Sequence, residues 1–383
     1  MFPNSPADIT EGDLISLIAD AVPEGKTLDY KEMLPGSSDA DKKEFLADAS
    51  SFANTSGGHL VFGVVESQGV PTRIVGTGSA DLDLELRRLD GILASGLEPR
   101  IRYGMRTVNC KDGAKVVVLR VERSWLGPHR VVFKGHDKFY GRNSAGKYPL
   151  DVSELRTAFT LSQTITERIR AFRTDRIIAI AGNQTPIPFT PDAKLVLHCL
   201  PVESFASQQY YDIAQFYEGR QGLPPMGASG WSHRINLDGV ITYFGEDPAH
   251  SYTQLYRNGT IEAVEGTVLG GARKAIPSFF CEDAVLKYLP VCFRVLKNIG
   301  CNPPAMVALT LVGVRGTVMG VGTYASERGY PIDVDTLILP EAVVEDFSMQ
   351  PGKILKPMFD LVWNACGHRR SLNFDDEGNW VRR

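Results

Sequence analysis

The chain has 383 residues, with 41 lysines and arginines against 45 aspartates and glutamates, a net charge of −4, and 43% apolar and 22% charged residues. That balance excludes wholesale disorder, and at roughly 100–200 residues per domain the length predicts two or three domains. No run of about 18 apolar residues predicts a membrane span, and the start MFPNSPADITEGDL lacks the basic and apolar regions of a secretory signal, so a cytoplasmic protein is expected.

In chain order, residues 9–21 carry apolar positions at helical spacing after Asp8, which predicts a short helix. Residues 27–33 alternate, with Leu28 and Tyr30 on one side and Asp29 and Lys31 on the other, as in a half-buried strand. Residues 38–54 place Phe45, Ala49, Phe52 and Ala53 on one helical face, and Gly57-Gly58 ends the helix. Residues 59–65 form a nearly continuous apolar run, the pattern of a strand buried on both faces. A second amphipathic helix is expected at 81–97, strands at 100–106, 115–123 and 129–134, and helix again at 150–180.

Residues 182–191 are rich in turn formers and uncharged, so they read as a linker between a first domain at 1–181 and a second at 192–383. Within the second, strands are expected at 194–200 and 305–314, hairpins around Asp238-Gly239 and Asn258-Gly259, and helices at 282–299 and 359–366. The fold class is α+β: a mixed sheet with flanking helices, followed by a second α+β domain. Cys110, Cys199, Cys281, Cys292, Cys301 and Cys366 are scattered without a C-x-x-C pair, which predicts reduced, buried thiols.

Charge is distributed unevenly. Residues 1–50 hold eleven acids and four bases, whereas residues 100–147 hold twelve bases and three acids, a local excess of +9. Bases interleaved with Trp125, Phe133, Phe139 and Tyr140 are what a polyanion-binding face needs, because neutralised phosphates release counterions. Arg130, Lys134, Lys138, Arg142 and Lys147, with His129 opening a strand, are the candidate nucleic-acid contacts. The competing reading makes them solvated residues paired with the acidic N-terminal segment.

Glu24 precedes the first strand, Asp29 lies on it with Lys31 on the same face, and Glu66 ends the apolar run. If those strands are neighbours, three acids converge beside a lysine, an arrangement that binds Mg²⁺ or Mn²⁺ and stabilises a phosphodiester transition state. Alternating polar residues on a solvated strand face are the plainer account. The loop containing Asn54, Gly57 and Gly58 permits close backbone approach to a phosphate. However, its glycines follow a helix and precede a strand, the reverse of a P-loop, and no Walker A string occurs. A helix C-cap with tight packing accounts for them more simply.

The strings Thr27-Leu28-Asp29-Tyr30-Lys31-Glu32 and Phe52-Ala53-Asn54-Thr55-Ser56-Gly57-Gly58-His59-Leu60-Val61-Phe62-Gly63-Val64 resemble the Schlafen AlbA-like domain of bacteria and animals. Pro128-His129 and Phe139-Tyr140-Gly141-Arg142 match its later elements. The resemblance implies nucleic-acid binding. Some animal members are metal-dependent ribonucleases, and their two acids five positions apart, with a third after the Gly-Val strand, fall on Glu24, Asp29 and Glu66. Asp29 stands where the family usually has Glu, and Val65 where an acid is common. Three readings stay open: a nucleic-acid-binding protein with Mg²⁺- or Mn²⁺-dependent nuclease activity, a non-catalytic DNA- or RNA-binding regulator whose second domain senses a ligand or partner, and an ATP-binding protein, which the missing Walker A loop disfavours. A homo-oligomer is also open, and no membrane partner is expected.

Overall fold

The computed structural model describes residues 8–79, 81–189, 193–206, 210–217, 222–245, 248–269, 274–320, 329–375 and 377–381. The chain divides into two compact units, Met1–Thr164 and Ile165–Arg383. Among the described residues no helix is long and apolar enough to cross a membrane.

The first unit runs α1 (Glu11–Ala19), β1 (Leu28–Lys31), α2 (Asp39–Ala53), β2 (Gly58–Phe62), β3 (Val64–Ser67), β4 (Val70–Ile74), α3 (Leu82–Gly96), β5 (Leu97–Glu98), β6 (Tyr103–Asn109), β7 (Lys115–Val121), β8 (Arg130–Phe133), β9 (His136–Asn143) and β10 (Gly146–Pro149). β1 and β2 pair in parallel, Leu28 opposite His59, with α2 as the crossover between them. β7 and β6 extend this sheet antiparallel in the order β1-β2-β7-β6, while β10-β9-β8-β5 form a second sheet and β3-β4 a separate hairpin.

The apolar periodicity dictates the layering. Phe45, Leu46, Ala49 and Phe52 of α2 and Leu89 and Leu93 of α3 pack on Leu60, Phe62, Val117 and Leu119. The opposite face of the same strands, Leu28, Tyr30, Val61 and Val118, is covered by Leu14 and Leu17 of α1. α2 starts where the Ser38 hydroxyl accepts the Asp41 N–H at 3.1 Å, a side-chain N-cap. It stops where Gly57, at φ +69°, donates its N–H to the Phe52 carbonyl.

After α4 (Val152–Ala181) the chain runs β11 (Lys194–Pro201), α5 (Val202–Ala206), α6 (Ala214–Tyr217), β12 (Ser232–Ile235), β13 (Gly239–Phe244), β14 (Ser251–Tyr256), β15 (Ile261–Glu265), β16 (Ala275–Pro277), α7 (Ser278–Asn298), β17 (Ala305–Val312), β18 (Val318–Gly320), β19 (Thr336–Ile338), β20 (Ala342–Val344) and α8 (Pro351–Ala365). An antiparallel sheet orders them β12-β13-β14-β15-β11-β17, with β19 and β20 both on β17. α7 and α8 share one core with this sheet, and all six cysteines of the chain are buried free thiols. Glu282 of α7 accepts from Trp363 Nε1 at 2.8 Å, Ser371 Oγ at 2.7 Å, Asn373 Nδ2 at 3.1 Å and Trp380 Nε1 at 3.1 Å. A buried carboxylate with four donors thereby ties the end of the chain to α7.

The expected linker at 182–191 differs from what the structure shows. Ile177 and Ile180 of α4 share a core with Ile187, Phe189, Val196, Ile241 and Tyr252, so the segment belongs to the second unit; residues 190 and 191 lie outside the described residues. Burial explains its lack of charge. Arg176 makes a two-pronged ion pair with Glu262, Nε to Oε2 at 2.8 Å and Nη2 to Oε1 at 2.9 Å. His198 Nε2 lies 3.1 Å from the same carboxylate, and Tyr252 donates to it at 2.9 Å. Burial raises the Glu262 pKa, but His198 and Arg176 outweigh it and lower the value to about 2.

Because the folded pKa lies below the ordinary 4.5, this carboxylate stabilises the fold at neutral pH and loses that contribution as pH falls from the usual carboxylate range toward 2. Arg176→Met is expected to cost about 3–5 kcal/mol in urea denaturation at pH 7, the scale for breaking a buried ion pair. The difference from wild type should shrink as pH is lowered through that window. An unchanged midpoint would show that Glu262 does not need its partner.

Candidate nucleic-acid interface

The most constrained group of charges in the first unit lies between its two sheets. Asp29 points from β1 and Asp48 from α2, with Arg142 of β9 between them, all three buried. Arg142 Nη2 donates to Asp29 Oδ2, its Nε donates to the Gly25 carbonyl at 3.0 Å, and its Nη1 lies 3.5 Å from Asp48. The guanidinium carbon sits 4.4 Å from the Phe52 ring centroid, adding a cation–π contact. Lys31 Nζ lies 2.8 Å from Asp29 and 3.9 Å from Asp48, and Lys147 Nζ reaches Asp48 at 2.8 Å and also Glu44.

Burial pushes the Asp29 carboxyl up, but Lys31 and Arg142 outweigh that and hold it below the usual range. For Asp48 burial prevails over Lys147 and Lys31 and leaves the group raised. The Lys31 ammonium, which burial alone would weaken, is held above its ordinary value by Asp48 and Asp29.

The three expected metal ligands are brought together only in part: the Glu24 and Asp29 side chains share a hydrogen bond, while Glu66 belongs to the neighbouring hairpin. Gly63 at φ +99° ends β2, where a Cβ would come 2.8 Å from the Gly76 backbone, so the chain turns out of the sheet. Glu66 therefore sits on the exposed β3-β4 hairpin, where its carboxylate accepts the Gly69 N–H. Glu24 lies across the same turn, its N–H on the Gly69 carbonyl at 2.6 Å and its carboxylate accepting from Tyr30 N at 2.8 Å. Its pKa is raised, chiefly by burial and further by the nearby Asp29 charge. Among the described residues no three His, Cys, Asp or Glu side chains form a group that could hold a metal ion. With Asp29 bound to Arg142 and Lys31, this donor set does not fit a divalent ion.

The expected phosphate-approach loop serves packing. Asn54 Nδ2 donates to the carbonyls of His129 and Tyr140, both at 2.9 Å, and its Oδ1 accepts the His129 N–H at 2.6 Å. A Cβ on Gly58 would lie 2.3 Å from the Phe52 ring and 2.7 Å from the Thr27 carbonyl. The His129 ring is buried, with Nδ1 at 2.7 Å from the Pro99 carbonyl, and burial lowers its pKa.

The basic segment accordingly splits. Arg142 and His129 turn inward, and Lys147 is committed to Asp48 and Glu44. Arg130 pairs with Glu98 at 2.9 Å and Lys134 with Asp39 at 2.6 Å, both at the surface, while Lys138 is exposed. Such surface pairs are worth about 0–1 kcal/mol and can be exchanged for phosphate contacts. Just past β7, the Arg123 guanidinium stacks 3.9 Å from the Trp125 ring centroid, and Arg100, on the approach to β6, is exposed. The loop 54–58 abuts Arg123, since Gly57 packs on its backbone nitrogen. In the sequence Trp125 stands out among the interleaved aromatics, whereas nothing separates Arg123 from the other bases of 100–147. Asp48 was not among the expected site residues, and its signal is an acid at i+3 from Phe45 on the apolar stripe of α2.

A family model described as Schlafen, AlbA_2 matches residues 24–151. Among solved structures the chain is similar to the DIP2311 protein from Corynebacterium diphtheriae, at 21% identity and a TM-score of 0.26, over 37% of this chain and 30% of that one. It is also similar to the N-terminal domain of a putative ATP-dependent DNA helicase RecG-related protein from Nitrosomonas europaea, at 24% identity and a TM-score of 0.28, over 35% of this chain and 88% of that one. The match thus spans less than a third of the first of these chains. None of the curated proteins matches.

If the cluster is structural, Asp29→Asn and Arg142→Met should each lower stability by about 3–5 kcal/mol, because each leaves a buried partner charge uncompensated. The double variant should lose clearly less than the sum of the two. Denaturant melts of the four proteins test this, and a neutral Asp29→Asn would instead free Asp29 for a ligand.

Proposed function

We propose that the first unit binds nucleic acid without using Glu24, Asp29 and Glu66 as a metal centre, and that it does so at the end of the first sheet where Arg123 lies on Trp125. The observation that carries this reading is that stack: a guanidinium against an indole, with no carboxylate among the described residues in ion-pair distance. Arg and aromatic faces in combination accept both backbone phosphate and an unstacked base. Arg100 and Lys138 are exposed bases without a carboxylate in ion-pair distance among the described residues, and the match of residues 24–151 to the Schlafen, AlbA_2 model supports the same class of partner. The buried ion cluster supports a binder over a nuclease, since Asp29, one of the three acids a metal would need, is already held by Arg142 and Lys31.

Trp125→Ala and Arg123→Ala should each weaken binding of a fluorescein-labelled single-stranded oligonucleotide by about tenfold, within the range for removing one base-stacking platform. The Arg123 variant should also flatten the salt dependence, whereas Trp125→Ala should leave its slope unchanged. Wild-type affinity in both variants would remove this surface from the interface.

A further inference from the structure

On the α1 side of the first sheet, one row of residues crosses all four strands: Leu28, His59, Arg120 and Gly104, in register from β1 to β6. The next row inward is Tyr30, Val61 and Val118, and it is closed by Leu14 and Leu17. At the outer row the packing opens into a cavity of about 680 Å³, bordered by Arg120, His59 and Ser56 on the sheet side and by Asp13, Leu17 and Asp20 on the helix side. That volume is in the range of small-ligand sites.

Arg120 is the unexplained group. It is partly buried, and desolvation lowers its pKa, opposed only by the field of Glu122. No described carboxylate lies within ion-pair distance of it. The other cations drawn into the first unit, Arg142 and Lys147, each have carboxylate partners. A cation withdrawn from water without a partner is costly unless an anion arrives to meet it. The helix side is acidic: Asp13 is ionised and pinned through one oxygen by the Thr10 N–H and hydroxyl, and Asp20 is exposed. A simple polyanion would be repelled there. A ligand with an anionic group at one end and hydrogen-bond donors at the other satisfies both walls, and Leu17, Val22 and Leu28 supply apolar contact between them.

We infer that this cavity binds a phosphomonoester on a nucleotide-sized body, with the phosphate on Arg120 beside His59 and Ser56 and the donor groups of the body toward Asp13 and Asp20. The phosphate can belong to a free nucleoside monophosphate or to the 5′ end of a strand. The inference does not depend on the Arg123–Trp125 stack binding anything.

The test is calorimetric titration of the full chain with the four nucleoside 5′-monophosphates, the four nucleosides and inorganic phosphate, together with 5′-phosphorylated and 5′-hydroxyl forms of one oligonucleotide. A monophosphate or the 5′-phosphorylated strand should bind at least about tenfold more tightly than its unphosphorylated counterpart, the scale of one charge-assisted contact. Arg120→Met should erase that difference, while Arg120→Lys should keep part of it. Thermal melts should show both variants folded, with Arg120→Met no less stable, because it removes an unpaired cation. Preference for a free monophosphate or for the strand end identifies the source. Three results would overturn the inference: no phosphate-dependent binding in any arm, inorganic phosphate binding as tightly as the best nucleotide, or full phosphate discrimination retained in folded Arg120→Met. Loss of strand binding in Trp125→Ala with monophosphate binding intact would separate the two surfaces.

Discussion

A single guanidinium holds the first unit together. Arg142 belongs to the second sheet, yet both carboxylates it faces belong to the first sheet and its crossover helix. To satisfy it, β9 must lie across the β1-α2-β2 unit at one depth and in one register, since a one-residue slip would point Arg142 to the opposite face. Asn54 fixes the same geometry independently, joining the end of α2 to the carbonyls of His129 and Tyr140. An apolar interface would tolerate sliding; a guanidinium between two buried carboxylates does not, and this specificity is the best account of why charges are placed there at all.

That constraint explains which parts of the sequence were legible. The periodicity of α2, the alternation of β1 and the apolar run of β2 depend on burial alone, and the structure has them within a few residues of where the pattern puts them. The hairpins at Asp238-Gly239 and Asn258-Gly259 were readable because Gly239 and Gly259 occupy positive φ. The candidate site was much less legible. Glu66 appeared to end a buried strand because Gly63 leaves no trace in hydropathy, although its φ of +99° ends the strand four residues earlier. Arg142 and His129 counted as surface cations because the excess of base in 100–147 says nothing about depth. Asp48 was readable in principle, since an acid on an otherwise apolar helical stripe is either an error of register or a buried ion pair.

The boundary between the units was missed for the same physical reason. An uncharged stretch with three prolines looks like a linker when solvent is assumed around it, and like a packed connection once Ile187 and Phe189 are known to be buried. The decisive evidence lay upstream. α4 carries Arg173 and Arg176, whose partners Glu341 and Glu262 belong to the second unit, and a long helix gives no hint from its own pattern of where the division falls within it. Both units thus use buried carboxylates with cationic or polar partners, Asp29 and Asp48 in one, Glu262 and Glu282 in the other. In each case the acid anchors a segment distant in sequence.

The residues that carry the family resemblance are therefore largely committed to the fold. Asn54, Gly58, His129 and Arg142 each have a packing or hydrogen-bonding duty that accounts for their identity, and Asp29 and Lys31 complete the ion cluster. Side chains with unspent capacity lie outside those strings: Arg120, without a counter-ion among the described residues, and Arg123 on Trp125. A rigid frame that satisfies its own charges can hold a few cations partly dehydrated and unpaired at its edge, where a phosphate gains most from meeting them. By this argument the shared strings specify the scaffold, and what the scaffold binds is set by the residues flanking them.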